Sequence, residues 1–151
     1  MIRVQTEDFD TGAEIAALRG GRTDAGAIVA FVGTVREHAK NGAITAMTLE
    51  HYPGMTEKEL ARIEAEAQER WPLLASLVVH RTGRLAPGDN IVLVVTLSTH
   101  RQAAFESAEF LMDYLKTSAP FWKTEETAVG SSHWVAASES DDACAARWTK
   151  R

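Results

Sequence analysis

A chain of 151 residues, 45% hydrophobic and 25% charged, is long enough for one globular domain with a substantial core. Its 16 basic and 21 acidic residues leave a net charge of -5, against the basic excess usual in nucleic-acid-binding proteins. No run approaches the ~18 apolar residues of a membrane span, the first residues lack the apolar core of a signal peptide, and the one cysteine, Cys144, excludes a disulfide framework or a cysteine-rich metal site. The expectation is a cytoplasmic protein with no metal and no nucleic-acid or membrane partner.

Residues 2–6 suit a short strand, and Thr11-x-x-Glu14 reads as a capping box opening a helix to about Arg19. Ala27-Ile-Val-Ala-Phe-Val32 is a continuous apolar run of the kind found in strands buried on both faces. It leads through Gly33-Thr-Val-Arg36 into the polar stretch 37–43, expected to be a mobile loop. Residues 44–51 alternate as a strand, and Pro53-Gly54 breaks it. Thr56-x-x-Glu59 is a second capping box, for a helix with Leu60, Ile63, Ala67 and Trp71 on one face and Pro72 as its stop. Leu77–Val79 and Ile91–Val95 read as strands around a turn with Pro-Gly-Asp chemistry at 87–89. A long helix follows Ser98-Thr-His-Arg101 and runs to about Thr117; strands are expected at 121–127 and 133–136, and a last helical turn in the charged tail. Together these make one α+β domain with a mixed or antiparallel sheet and flanking helices.

The chemistry centres on Met112-Asp-Tyr-Leu-Lys-Thr-Ser-Ala-Pro-Phe-Trp-Lys123. Pro120 separates the helix from the strand after it, so Lys116 and Lys123 lie on two elements joined by a rigid turn and can converge on one anionic or electrophilic ligand. A lone pair of lysines is more often solvated surface; here Tyr114, Phe121 and Trp122 crowd the same turn and offer a wall for a flat ligand. His100 and Arg101 stand where a buried strand gives way to a helix N-terminus, a place that favours anions or serves simply as a cap. Arg36 opens a polar loop beyond a strand, as ligand-contacting residues often do. The chain has no P-loop, dinucleotide fingerprint, zincin motif or nucleophile elbow. Cys144 is far in sequence from every cationic candidate, so sulfur chemistry would need sulfur from elsewhere. The residues alone point to a cationic pocket for a phosphorylated, flat small molecule.

These residues also carry a resemblance. Phe31-Val-Gly-Thr-Val-Arg36, Leu49-Glu-His-Tyr-Pro-Gly-Met-Thr56, Ser98-Thr-His-Arg101 and the block from Met112 to Lys123 resemble, in order and spacing, the large catalytic subunit of molybdopterin synthase, the MoaE family. The resemblance covers nearly the whole chain. It implies an α/β-hammerhead-type fold and a sulfurtransferase that converts cyclic pyranopterin monophosphate into the dithiolene of molybdopterin, without a cofactor of its own. It also implies a partner, a small ubiquitin-like sulfur carrier whose C-terminal Gly-Gly bears the donating thiocarboxylate. A homodimer of this subunit would sit within a heterotetramer.

Carried residue by residue, the resemblance implies catalytic roles for Lys116 and Lys123, with Lys116 the principal lysine. It implies substrate binding by Thr34, Val35, Arg36, His100, Arg101, Thr124 and Glu125 beside the two lysines. Two other readings compete with it: a different enzyme acting on a phosphorylated metabolite, and a non-catalytic module that holds an acidic C-terminal tail.

Overall fold

The computed structural model describes residues 1–40 and 42–149. In chain order the elements are β1 (Ile2–Gln5), α1 (Thr11–Arg19), β2 (Ala27–Thr34), β3 (His38–Ala39), β4 (Gly42–His51), α2 (Met55–Arg70), β5 (Leu73–Arg81), β6 (Gly83–Leu85), β7 (Asn90–Ser98), α3 (Arg101–Thr117), β8 (Phe121–Thr127), β9 (Ser132–Val135) and α4 (Glu139–Ala146), with a 3₁₀ turn at Arg147–Thr149.

The strands form two sheets. The first has the order β1-β5-β7-β2, with β1 parallel to β5 and the other pairs antiparallel. Its two faces are both apolar because β5 and β7 are Val/Leu-rich throughout, as strands covered on both sides must be. One face packs Leu77, Val79, Leu93, Val95 and Leu97 against Phe9 and against Ile15 and Leu18 of α1. The other packs Val78, Val92 and Val94 against Ile63 and Ala67 of α2, Ala108 and Leu111 of α3, and Met47, Leu49 and Leu85 of the second sheet. That second sheet runs β3-β4-β8-β9, with β6 also paired to β4. The predicted α+β fold with a mixed sheet and flanking helices is the fold observed.

Several local expectations need correction. Ala27–Val32 is not buried on both faces: β2 is the edge of the first sheet, and Phe31 and Val32 remain 40% and 37% exposed. The apolar run is a free edge, a feature that proteins normally blunt or cover. Gly26 fixes where this strand starts. It donates to the Ser98 carbonyl at 3.1 Å, and a Cβ there would sit 2.2 Å from the Thr99 oxygen, so only glycine lets the chain approach. The polar stretch 37–43 contains β3, with His38 opposite Ala43 in a short ladder to β4; its Asn41 lies outside the described residues.

Both capping boxes are also displaced. Asp10, not Thr11, caps α1, accepting from Ala13 N–H at 2.9 Å. At α2 the Glu57 carboxylate accepts the Gly54 N–H at 2.6 Å. Thr56, fully buried, instead accepts from Tyr52 N–H and donates to the Pro120 carbonyl, tying α2 to the turn between α3 and β8. The C-terminal segment is more than one helical turn. Trp148 packs edge-on against Trp71 and Phe110 and donates from Nε1 to Asp113 at 2.6 Å, which holds α4 against α3.

Candidate active site

The proline turn delivers the two lysines as the sequence predicts. α3 ends at Thr117, Pro120 prevents its continuation, and β8 begins at Phe121. Along β8 the side chains alternate. Phe121, Lys123 and Glu125 face inward beside His51, Leu49 and Met47 of β4, while Trp122, Thr124 and Glu126 face outward. The inward set and the C-terminal turn of α3 border a cavity of about 570 Å³, within the usual range for a small-molecule site. Thr34 and Arg36 close it from the end of β2, and the segment from Val135 to Asp141 forms its outer wall.

Lys116 is exposed at the rim and Lys123 lies deeper. Neither lysine forms an ion pair among the described residues. Burial beside fully buried Leu49, and then the adjacent charge of Lys116, push the Lys123 ammonium down to about 8. Asp141 and Glu125 offset part of this from the cavity wall. A lysine whose ammonium is brought down to about 8, with a second lysine at the rim, is a pairing suited to proton transfer next to anion stabilisation.

The other predicted residues divide by position. Arg36, Thr34 and Glu125 line the cavity with the lysines, and Glu125 is buried. Val35 does not line it: its side chain is buried in the core, and its N–H donates to the Asp89 carbonyl at 2.9 Å, so it anchors the loop that carries Arg36. Thr124 points to the opposite face of the sheet, beside Thr45, Thr48 and Glu126, because strand alternation separates it from Lys123. His100 and Arg101 are exposed at the other end of α3, fifteen residues or roughly 22 Å from Lys116. The chain therefore does not bring them to its own cavity.

Sequence reasoning missed His80, Lys40, Ser138 and Asp141, all of which border the cavity. Lys40 was passed over as part of a polar loop, and Ser138 and Asp141 as part of the charged tail; their reciprocal capping bonds at the start of α4 turn that tail toward the site. His80 had a usable signal, an ionisable side chain at the end of the apolar run Leu77-Val-Val79.

The MoaE protein family matches residues 4–118. The chain belongs to that family. A molybdopterin synthase catalytic subunit from Mesorhizobium japonicum is 58% identical over 148 residues, covering 97% of this chain and 92% of its own length. The solved MoaE protein of Burkholderia ambifaria superposes with a TM-score of 0.84 at 55% identity, covering 100% of this chain and 99% of its own. A Helicobacter pylori structure described as a complex of subunits 1 and 2 of molybdopterin-converting factor has a TM-score of 0.71 over 91% of this chain and 90% of its own; at 21% identity that likeness is one of fold.

Among the described residues, no group of three or more His, Cys, Asp or Glu is placed to hold a metal ion, and no helix is long and apolar enough to cross a membrane. The MoaE relationship rests on sequence and fold, and the cavity of this chain is lined by Arg36, Lys40, Lys116 and Lys123 with a buried imidazole, His80, and two carboxylates, Glu125 and Asp141.

Proposed function

We propose that this chain is the catalytic subunit of a molybdopterin synthase, transferring sulfur from the C-terminal thiocarboxylate of a small Gly-Gly-ended carrier to cyclic pyranopterin monophosphate. The observation that carries this reading is the convergence of Lys116, Lys123 and Arg36 on one cavity in a member of the MoaE family. Attack on the substrate generates anionic character that Lys116 can stabilise as a fixed cation. Lys123, with its ammonium near 8, has on the order of a tenth of its population neutral at pH 7 and can pass protons between the reacting groups. Arg36 is suited to the substrate phosphate, since guanidinium offers planar, paired donors. Among the described residues no thiol lines the cavity, consistent with sulfur that arrives on another chain.

The reading includes a homodimer, and β2 suggests its geometry. β2 begins opposite Ser98, beside the start of α3, and ends at Thr34, at the cavity. Its eight residues span roughly 25 Å, close to the length of α3 between Arg101 and Lys116. Two copies paired antiparallel along the free edge, about a two-fold axis near Ala30–Phe31, would bring His100 and Arg101 of one copy toward the Thr34–Arg36 end of the other. This arrangement also covers the exposed Phe31 and Val32.

The test is reconstituted turnover with purified protein, a thiocarboxylated Gly-Gly carrier and the cyclic pterin monophosphate, following the dithiolene product. Product from wild type and nearly none from Lys116→Ala, with carrier binding retained, is the expected result. Equal product from both would remove Lys116 from the chemistry. Carrier binding without product from wild type would favour the tail-binding module.

A further inference from the structure

Among the groups bordering the cavity, the buried imidazole of His80 has no part in the mechanism above. His80 closes β5 on the face turned toward the second sheet and is 4% exposed. Its ring stacks on Phe121 with centroids 3.8 Å apart and planes at 16°, so its orientation is fixed. Nδ1 lies 2.9 Å from the backbone carbonyl of Arg81. A carbonyl only accepts, so Nδ1 carries the ring proton and Nε2 keeps a lone pair. Among the described residues Nε2 forms no hydrogen bond, and Nδ1 to the Arg81 carbonyl is the bond the ring makes. The ring borders the same cavity as Lys116 and Lys123.

We propose that His80 is a substrate-binding residue whose Nε2 accepts a hydrogen bond from a ring N–H or amino group of the substrate's flat heterocycle. This rests on the function proposed above and names the part of the substrate that this wall of the cavity reads. Two alternatives are weaker on physical grounds. A cationic imidazole binding phosphate would have to carry charge while buried beside other cations. The groups facing it are Lys123 of β8, Lys116 of α3 and His51 of β4, and burial together with these charges holds the imidazolium down to about 4. A general base with so low a basicity takes up protons poorly at neutral pH, whereas hydrogen-bond acceptance needs only the lone pair. The division of labour follows from charge: lysines and Arg36 attract the anionic part, and a neutral acceptor repels anions while pairing with a donor. An acceptor built for such a donor also rejects rings that lack it, because the buried lone pair is then left unpaired.

The experiment compares wild type, His80→Phe and His80→Gln. Steady-state turnover, calorimetric binding of the cyclic pterin monophosphate alone, carrier affinity and Tm are measured for each. Phenylalanine keeps the stack on Phe121 and removes the acceptor; glutamine restores an acceptor near the Nε2 position. Expected is a rise of about ten-fold or more in both KM and pterin Kd for His80→Phe, with kcat and carrier affinity within about two-fold and substantial recovery in His80→Gln. An unchanged Kd in His80→Phe would reduce His80 to a packing residue, and a fall in kcat at unchanged KM would move it to the chemical step; either overturns the proposal. So would a glutamine variant as weak as a folded phenylalanine variant. If His80→Phe does not fold, His80→Gln must bind the pterin within about three-fold of wild type, and a pterin methylated at its ring N–H and amino group must bind wild type about ten-fold less tightly; failure of either overturns the proposal. Wild type that binds the pterin but makes no product would sink the sulfur-transfer reading and leave the binding comparison to decide on His80.

Discussion

The two ends of α3 bear the same kind of side chain in opposite settings. At the C-terminal end Lys116 meets Lys123 across the Pro120 turn, inside a cavity walled by two sheets and the 135–141 segment. At the N-terminal end His100 and Arg101 stand exposed, beside the start of a free edge strand, and do not border that cavity. Cationic residues alone do not make a site. Enclosure does, because it lowers the local dielectric and gives the charges something to act on. The difference teaches that a single chain carries an enclosed cationic cavity and a separate exposed cationic surface about one helix length away, which the proposed two-fold pairing along β2 would join.

Breaking the enclosed end has the largest expected effect. Lys116→Ala and Lys123→Ala should each reduce turnover by ~10²–10³-fold without loss of carrier binding, as removal of a preorganised charge at a reacting centre does. Single-turnover assays with pre-formed complex would check it, and a loss of under ten-fold for both would argue against lysine chemistry. The exposed end is predicted to matter only through a second copy. Arg101→Ala should lower turnover by roughly 10–100-fold with an unchanged Tm. Mixed with refolded Lys116→Ala protein, it should regain roughly a quarter of wild-type activity, since half of the dimers are then hybrids with one intact site each. No recovery on mixing would mean that Arg101 does not act across the dimer.

Much of this contrast was legible in the sequence. The Pro120 turn and the apolar stripe of α3 give the placement of Lys116 and Lys123, because a helix stop and its flanking residues are local matters. What was not legible depends on which element lies beside which. The run Ala27–Val32 looks like a central strand, and only the sheet order makes it an edge. Thr124 adjoins Lys123 in sequence, yet alternation sends it to the other face, and predicting that required the register of β8 on β4. The separation of His100 and Arg101 from the lysines could have been read from helix length alone, about 1.5 Å per residue from Arg101 to Lys116. His80 needed the tertiary stack on Phe121 to stand out from an ordinary strand end.

A smaller effect sharpens the comparison by separating stability from function at the enclosed end. Lys123 is held near 8 in the folded chain, below the ordinary lysine value, so the unfolded chain binds its proton more tightly. Below pH 8 both states are protonated and the folded state carries the full penalty of burying the charge. Between about 8 and 10.5 the folded state releases its proton first, and this contribution to stability rises with pH. Lys123→Met removes the penalty. It should raise Tm by about 2–5 °C at pH 7, with the gain shrinking as pH approaches 10, while turnover is lost. Calorimetric melts of the two proteins across pH 6–10 would check this, and a lower Tm for the methionine variant at pH 7 would mean that Lys123 is held by favourable contacts instead.

The smallest effect is expected one residue away, at Thr124. Lys123 and Thr124 are adjacent on one strand and differ in the face they occupy: one borders the cavity and the other an outer depression lined with Thr45, Thr48 and Glu126. If the site is the cavity, Thr124→Ala should leave KM and kcat within about two-fold of wild type, as surface substitutions away from such features generally do. A ten-fold loss of turnover with intact substrate binding would show that the outer face of the second sheet is itself covered by a partner during the reaction. The contrast between the ends of α3 would then be incomplete, because a third surface, neither cavity nor β2 edge, would belong to the working assembly.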